Sequence, residues 1–192
     1  LQSTTSIKDL VKITAKEKMP AVALTDSGNM MAAFHFVQAV QGHNKEAEAK
    51  NKEVEEKGET PTETLIKPII GCEFNICENH LDKSRQDNGY QVVILAKNKQ
   101  GYHNLTKMAS IASTKGFYYV PRIDKAIVEQ YKSDLMVLSG GMNGEIPSKI
   151  LNIGTKQAEE ALLWWKEQFG EDFYLEVMRH NQEDENRVNE TL

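Results

Sequence analysis

Asp26, Glu73 and His180 are the residues of this sequence whose types and settings best suit metal coordination or proton transfer. Each follows an apolar stretch, within ALTDSGNM, IIGCEFN and LEVMRHN, and two further stretches end as ILAKN and LSGGMNGEIP. Parallel α/β sheets and barrels place their chemistry where strands end, so these five termini are the places to look. A hydrolytic metal site needs several imidazole, thiolate or carboxylate ligands in one place. The first terminus offers Asp26 and then Ser27, a poor ligand. The second offers Glu73, with Cys72 pointing the other way if the strand continues. The third offers only Asn98, the fourth Ser139 and two glycines, and the fifth His180 beside Arg179. Scattered single ligands of this kind fall short of a metal cage.

Each candidate also has a plainer role. Asp26 at a strand-to-helix turn can cap the helix. Glu73 can be a buried acid paired with Arg122 or Arg179, and His180 a hydrogen-bonded structural histidine. His35, His43, His80 and His103 fall on helices or loops without paired ligand spacing. No serine sits in a nucleophile-elbow motif, and the glycines of LSGGMNGE lack the P-loop lysine and serine. Cys72 and Cys77 are the only cysteines. A lone C-x4-C is weak evidence for zinc and fits a reduced, cytosolic setting better than a disulfide framework.

The elements that must position these residues follow from periodicity and punctuation. Ser6 with Asp9 predicts a capped helix carrying Ile7, Leu10, Val11 and Thr14, ended by Met19-Pro20. A strand over 21–24 leads to Gly28 or Asn29 as cap of a second helix, whose core face would be Met30, Ala33, Phe34, Val37 and Val40. Of the 22 residues 43–64, seven are Glu and four are Lys, and Val54 is the only large apolar one. A segment so polar is expected to be a solvated helical extension or a mobile insertion, with no core face. Further strands are expected at 67–73, 90–96, 135–138 and 173–177. Helices are expected at 101–114, from the Asp124 cap to Tyr131, at 155–169 and at 182–192. The helix over 155–169 has Ala158, Ala161, Leu162, Trp165 and Phe169 on one stripe; of Leu163 and Trp164, which fall off it, one is expected against a neighbouring element of the domain, with a partner contact as the alternative. Strands alternating with helices imply parallel βα units.

A length of 192 residues suits one domain with a sizeable core, and no apolar run is long enough to span a membrane. A start on Leu1 without Met is expected of a fragment. The formal charge of −5 argues against a broad grip on DNA, which needs clustered Lys and Arg.

Taken together, ALTD-x-GNM, IKPIIGCE, LAKNKQGYHNL, GFYYVPRID, LSG-x-x-x-GEIP and FYLEVMRH resemble the PHP (polymerase and histidinol phosphatase) domain. The variety they resemble is the one at the N-terminus of the alpha subunit of the bacterial replicative DNA polymerase III. The resemblance covers residues 1–192 outside the charged insertion. It implies a distorted, TIM-like βα barrel with a metal cluster at its C-terminal rim, here incomplete at both ends. The outer ligand motifs, HxH and Asp-x-His, would lie before Leu1 and after Leu192, and the missing strands would leave unpaired edges. Among the internal ligand positions the resemblance implies, Glu73 is kept. Ser27 stands for a histidine, Ser113 for a histidine and Gly141 for a cysteine, and Gln91 stands where a histidine is often seen. Serine and glycine remove strong donors, and affinity needs several ligands acting together.

The resemblance therefore implies a catalytically degenerate module with no catalytic residue and no metal of its own. Zinc or manganese would bind only if the remnant site still works. The alternative is an active metal-dependent phosphoesterase or 3′-5′ exonuclease. The parent chain would be a cytoplasmic bacterial DNA-directed DNA polymerase, a magnesium-dependent nucleotidyltransferase of DNA replication. Implied partners are the rest of that subunit and a docked proofreading exonuclease. DNA would be reached through the parent chain, and no membrane is implied.

Overall fold

The computed structural model describes residues 4–192, and these residues divide into two compact units. The first comprises the residues up to Leu24 with Met31–Ile70, and the second Thr25–Met30 with Gly71–Leu192. Strands β1 (Ala21–Ser27) and β2 (Lys67–Cys77) begin in the first unit and end in the second.

In the first unit, helix α1 (Ile7–Lys16) starts as its sequence predicts, with the Ser6 hydroxyl accepting the Asp9 amide at 3.1 Å. Helix α2 (Ala33–Glu56) differs from expectation at its start. Neither Gly28 nor Asn29 caps it; its N-cap is Ala32, without a side-chain bond. The buried face is accordingly Ala33, Phe36, Val40 and Ala47, while Phe34 is 69% exposed. Starting the helix several residues later leaves the phase to tertiary packing. Phe36 and Val40 meet Val11 and Ile66, with Leu24 and Ile70 alongside.

The charged segment is a helical extension, because α2 runs through it to Glu56. It does have a packed face, contrary to expectation, and most of that face is polar. Asn44 donates to the Ile66 carbonyl and accepts the Ile66 amide, both at 2.8 Å. Two turns on, Asn51 donates to the Glu63 carbonyl at 2.9 Å and accepts the amides of Thr62 and Glu63. His43 Nε2 lies 3.1 Å from the Thr64 carbonyl, and Ala47 is buried among these bonds. Each asparagine amide stands in for a peptide unit and ties the returning chain to the helix. Replacing Asn44 and Asn51 together by alanine is expected to cost about 2–4 kcal/mol, because it orphans backbone groups as well as removing bonds. Urea unfolding, with faster amide exchange at Glu63 and Ile66, checks this.

The second unit holds β3 (Tyr90–Ala96), β4 (Arg122–Asp124), β5 (Leu135–Leu138) and β6 (Phe173–Tyr174). Its helices are α3 (Lys99–Thr114), α4 (Lys125–Tyr131), α5 (Glu145–Asn152), α6 (Thr155–Phe169) and α7 (Glu183–Thr191). The sheet order is β1-β2-β3-β5-β6, with β4 also paired to β2. Pairs β2–β4 and β5–β6 are parallel.

The purely parallel expectation fails at β3, which runs antiparallel to β2 and β5. Residues 78–89 join β2 to β3 without a helix, so nothing carries the chain back to the end where β2 began. Other boundaries move. The last strand stops at Tyr174 rather than Val177, β1 and β2 run on to Ser27 and Cys77, and α5 forms in a stretch for which no element was expected. The mixed α/β class stands.

Alternation along β2 separates two faces. Cys72, Phe74 and Ile76 point into the core with Val92 and Ile94 of β3, while Glu73 and Asn75 point the other way. Helix α6 buries Ala158, Ala161, Trp165 and Phe169 as its stripe predicts. Trp164 packs against the same core and carries the Lys125 ammonium 4.4 Å from its ring centre, whereas Leu163 is exposed. Among the described residues no helix is long and apolar enough to cross a membrane.

Candidate functional site

Glu73 lies on the open face of β2, and its partner is neither Arg122 nor Arg179. The Ser27 hydroxyl, at the end of β1, donates to Glu73 Oε1 at 2.7 Å. A second bond fixes the approach, from the Gly28 amide to the Glu73 carbonyl at 2.8 Å. Gly28 has φ +69°, a backbone region costly for other residues, and a Cβ there would press on Pro121 at 3.2 Å. Asn29 Nδ2 closes the turn on the Ser27 carbonyl. The sequence at TDSGN therefore builds a tight turn whose serine is aimed at the carboxylate. Asp26 lies inside β1, half-buried, and caps no helix.

The other ligand positions implied by the resemblance are differently placed. Ser113 is exposed in the last turn of α3. At Gly141, an added Cβ would come within 2.6 Å of Met178 Sδ, so the Met178 thioether already fills the room a larger side chain would need. Gln91 accepts the Asn143 amide at 3.1 Å and joins β3 to the loop before α5. His180 is tied to α7, with Nδ1 2.7 Å from Glu185 Oε1 and its amide bonded to Glu185 Oε2. Its neighbour Arg179 is exposed. Among the described residues no three His, Cys, Asp or Glu side chains gather as a metal site would require.

Cys72 and Cys77 are free and buried. Burial pushes the Cys72 thiol up to about 12, against weaker help from the Gly28 and Asn29 amides, and it pushes Cys77 to about 11. Thiolate is the reactive form, so neither cysteine should react with a thiol reagent at pH 8 until the chain unfolds. Following absorbance with and without denaturant checks this.

Three further groups organise the surroundings. Arg122 is fully buried, with Nε on the Gly116 carbonyl at 3.1 Å, Nη1 on Asp87 at 2.8 Å and Nη2 on Asp82 at 3.0 Å. Its guanidinium also lies 5.4 Å from the Tyr118 ring centre. The available signal was an arginine inside the otherwise apolar VPRI. His80 Nδ1 lies 2.5 Å from Asp124 Oδ2, and both residues are buried. Asp124 also caps α4, as expected, by accepting the Ile127 amide. Glu145 accepts from Lys125, Lys149 and the Trp165 indole.

Burial opposes the charged form of Asp124, but its bonds from His80 and Ile127 prevail and hold its pKa below the usual carboxylate range. Glu145 is likewise lowered, its burial outweighed by the two lysines and Trp165. A carboxylate whose pKa falls on folding contributes stability above its unfolded value, lost as pH drops through the folded one. The chain is therefore expected to lose stability progressively below about pH 5, and Asp124→Asn to flatten that slope while lowering stability at pH 7. Melting temperatures from pH 3 to 7 test both.

Helices on a mixed sheet, with polar turns closing strands β1 and β5, define an α/β enzyme-type scaffold whose strand-end residues are occupied with one another. The PHP domain model matches residues 1–180, and the chain belongs to that family. It is similar to the DNA polymerase III subunit alpha of Borreliella burgdorferi, at 37% identity over the whole chain and 15% of the relative. It is similar also to the subunit of the same name from Thermus aquaticus, at 34% over the whole chain and 15% of the relative. That of Chlamydia trachomatis is 33% identical over 96% of the chain and 14% of the relative. The chain thus spans about one seventh of the length of these relatives.

Proposed function

We propose that the chain is the PHP domain of a bacterial replicative DNA polymerase III alpha subunit, serving there as a catalytically degenerate structural module. The names of its relatives support the placement, and their length supports a parent several times larger. In this reading the domain packs against the rest of the subunit in the cytoplasm and offers a docking surface to a separate proofreading exonuclease. Nucleotide addition, with its magnesium and its contacts to DNA, belongs to residues outside this chain.

The bond from Ser27 to Glu73 carries the reading of degeneracy. A carboxylate held by a serine hydroxyl is paired within the protein, and the hydroxyl is a poor ligand for zinc or manganese. The residues present do not fit the family's metal cluster. Ser113 faces solvent, Met178 crowds Gly141, and the imidazole of His180 is held by Glu185. The test is to load the chain with manganese or zinc, desalt it and measure bound metal beside phosphoesterase and exonuclease activity. Metal far below one ion per chain and no hydrolysis are expected. Stoichiometric metal would overturn the reading in favour of an active phosphoesterase or exonuclease.

A further inference from the structure

At the end of β2, a cavity of about 690 Å³ opens beside Ile76, Cys77 and Tyr90. It is distinct from the Ser27–Glu73 pair, because Ile76 and Cys77 at the end of β2 line it and Ser27 and Glu73 do not. Two lysines line it, Lys125 at the start of α4 and Lys149 in α5. Both ammoniums bind the same carboxylate oxygen, Glu145 Oε1, at 2.9 and 2.7 Å. Glu145 is itself buried and anchored by the Trp165 indole at 2.8 Å.

One carboxylate between two ammoniums leaves a positive charge uncompensated at this wall. An ammonium carries three N–H donors, and each lysine gives one to a protein oxygen, so four are left to divide between the aromatic rings and the cavity. The ammoniums themselves lie over aromatic rings, Lys125 Nζ over Trp164 at 4.4 Å and Lys149 Nζ over Tyr90 at 6.0 Å, which limits where the charges can move. Of the other charged lining groups, Arg85 and Glu78 offset each other, while the Asp87 carboxylate keeps its negative charge across the cavity from the two ammoniums. Arg85 pairs with Glu78, and Asp87 accepts the amides of Glu78 and Gly89. The amides of Gln86 and Asn88 add neutral polar groups on the far side.

From this we infer that the cavity is an anion site, in which Lys125 and Lys149 together bind a phosphoryl group. Its source is either inorganic phosphate or the phosphate of a mononucleotide whose remainder lies toward Tyr90. Glu145 acts as a positioning residue that holds the ammoniums close enough to share one anion. The site is separate from the Ser27–Glu73 pair, so its failure would leave the proposed function untouched.

The test uses the 192-residue chain with inorganic phosphate and, separately, adenosine monophosphate. Calorimetric titration is expected to give saturable binding with a dissociation constant of about 1 mM or tighter, and Lys149→Gln to weaken it about tenfold or more. Lys97→Gln, which alters a lysine paired with Asp172 away from the cavity, should leave binding unchanged. Because Lys149→Gln strands part of a buried network, an amine-labelling footprint of the unaltered chain provides a second readout that needs no substitution. There phosphate should slow modification of Lys125 and Lys149 but not of Lys97. Tighter binding of adenosine monophosphate would name the nucleotide as source, and equal binding the free phosphate. No saturable binding of either probe at about 10 mM, or equal labelling with and without phosphate, would overturn the inference.

Discussion

Arg122→Ala is expected to destabilise the second unit by about 3–5 kcal/mol, among the largest effects a single residue of this chain can have. The guanidinium has no exposed surface and joins three backbone carbonyls, those of Asp82, Asp87 and Gly116. Removing it deletes three bonds from a charged donor and strands three acceptors that residues 78–89 cannot easily turn to water. Arg122→Lys should recover little, since one ammonium cannot reproduce a planar fork aimed at three directions. Chemical denaturation gives the size of the effect. Hydrogen exchange gives its location, and faster exchange confined to residues 78–89 and 116–124 is the expected pattern. A loss below about 1 kcal/mol would mean that water replaces the guanidinium without strain.

Trp165→Ala should cost a comparable 3–5 kcal/mol, for a different reason. The ring is 1% exposed and stacks on Phe169 and Phe173, with centroids 5.9 and 6.3 Å away, while Trp164 meets it edge-on at 4.7 Å. Its loss opens a cavity in the core and takes the indole donor from Glu145. Trp165→Phe separates the two contributions. It keeps most of the packing and should lose about 1–2 kcal/mol, mainly the hydrogen bond to a buried carboxylate. Near-equal losses for Ala and Phe would show that the bond to Glu145 dominates and the aromatic packing contributes little.

Much of the fold was legible because it is local. Ser6, Asp124 and the stripe of α6 declare themselves within a turn or two, and β5 is bounded as its apolar run predicts. The resemblance, carried by six separated motifs, was enough to name the family. Two local readings failed for lack of local information. The phase of α2 depends on a start three residues beyond Asn29 and on meeting Val11 and Ile66. The packed face of the charged segment uses Asn44, Ala47 and Asn51, one stripe along the helix, but polar residues on a stripe signify nothing until the chain that returns against them is in place.

The candidate site divides in the same way. Residue types alone indicated that Ser27, Ser113 and Gly141 are weak ligands, since donor chemistry belongs to the side chain and travels with it anywhere in a fold. Partnership does not. Ser27 and Glu73 are 46 positions apart, Arg122 reaches Asp82 across 40, and Lys125 meets Glu145 across 20. In sequence, Glu73 was equally matched to either of two arginines. The tight turn at Gly28 brought the serine to it instead, and Arg122 was taken by carbonyls of the connecting loops. Composition and short-range periodicity thus determined most of the elements, the caps at Ser6 and Asp124 and the poverty of ligands. Only the packed chain decided which polar groups satisfy one another, because a buried charge takes whichever partner the backbone delivers within about 3 Å, and sequence distance has no part in that choice.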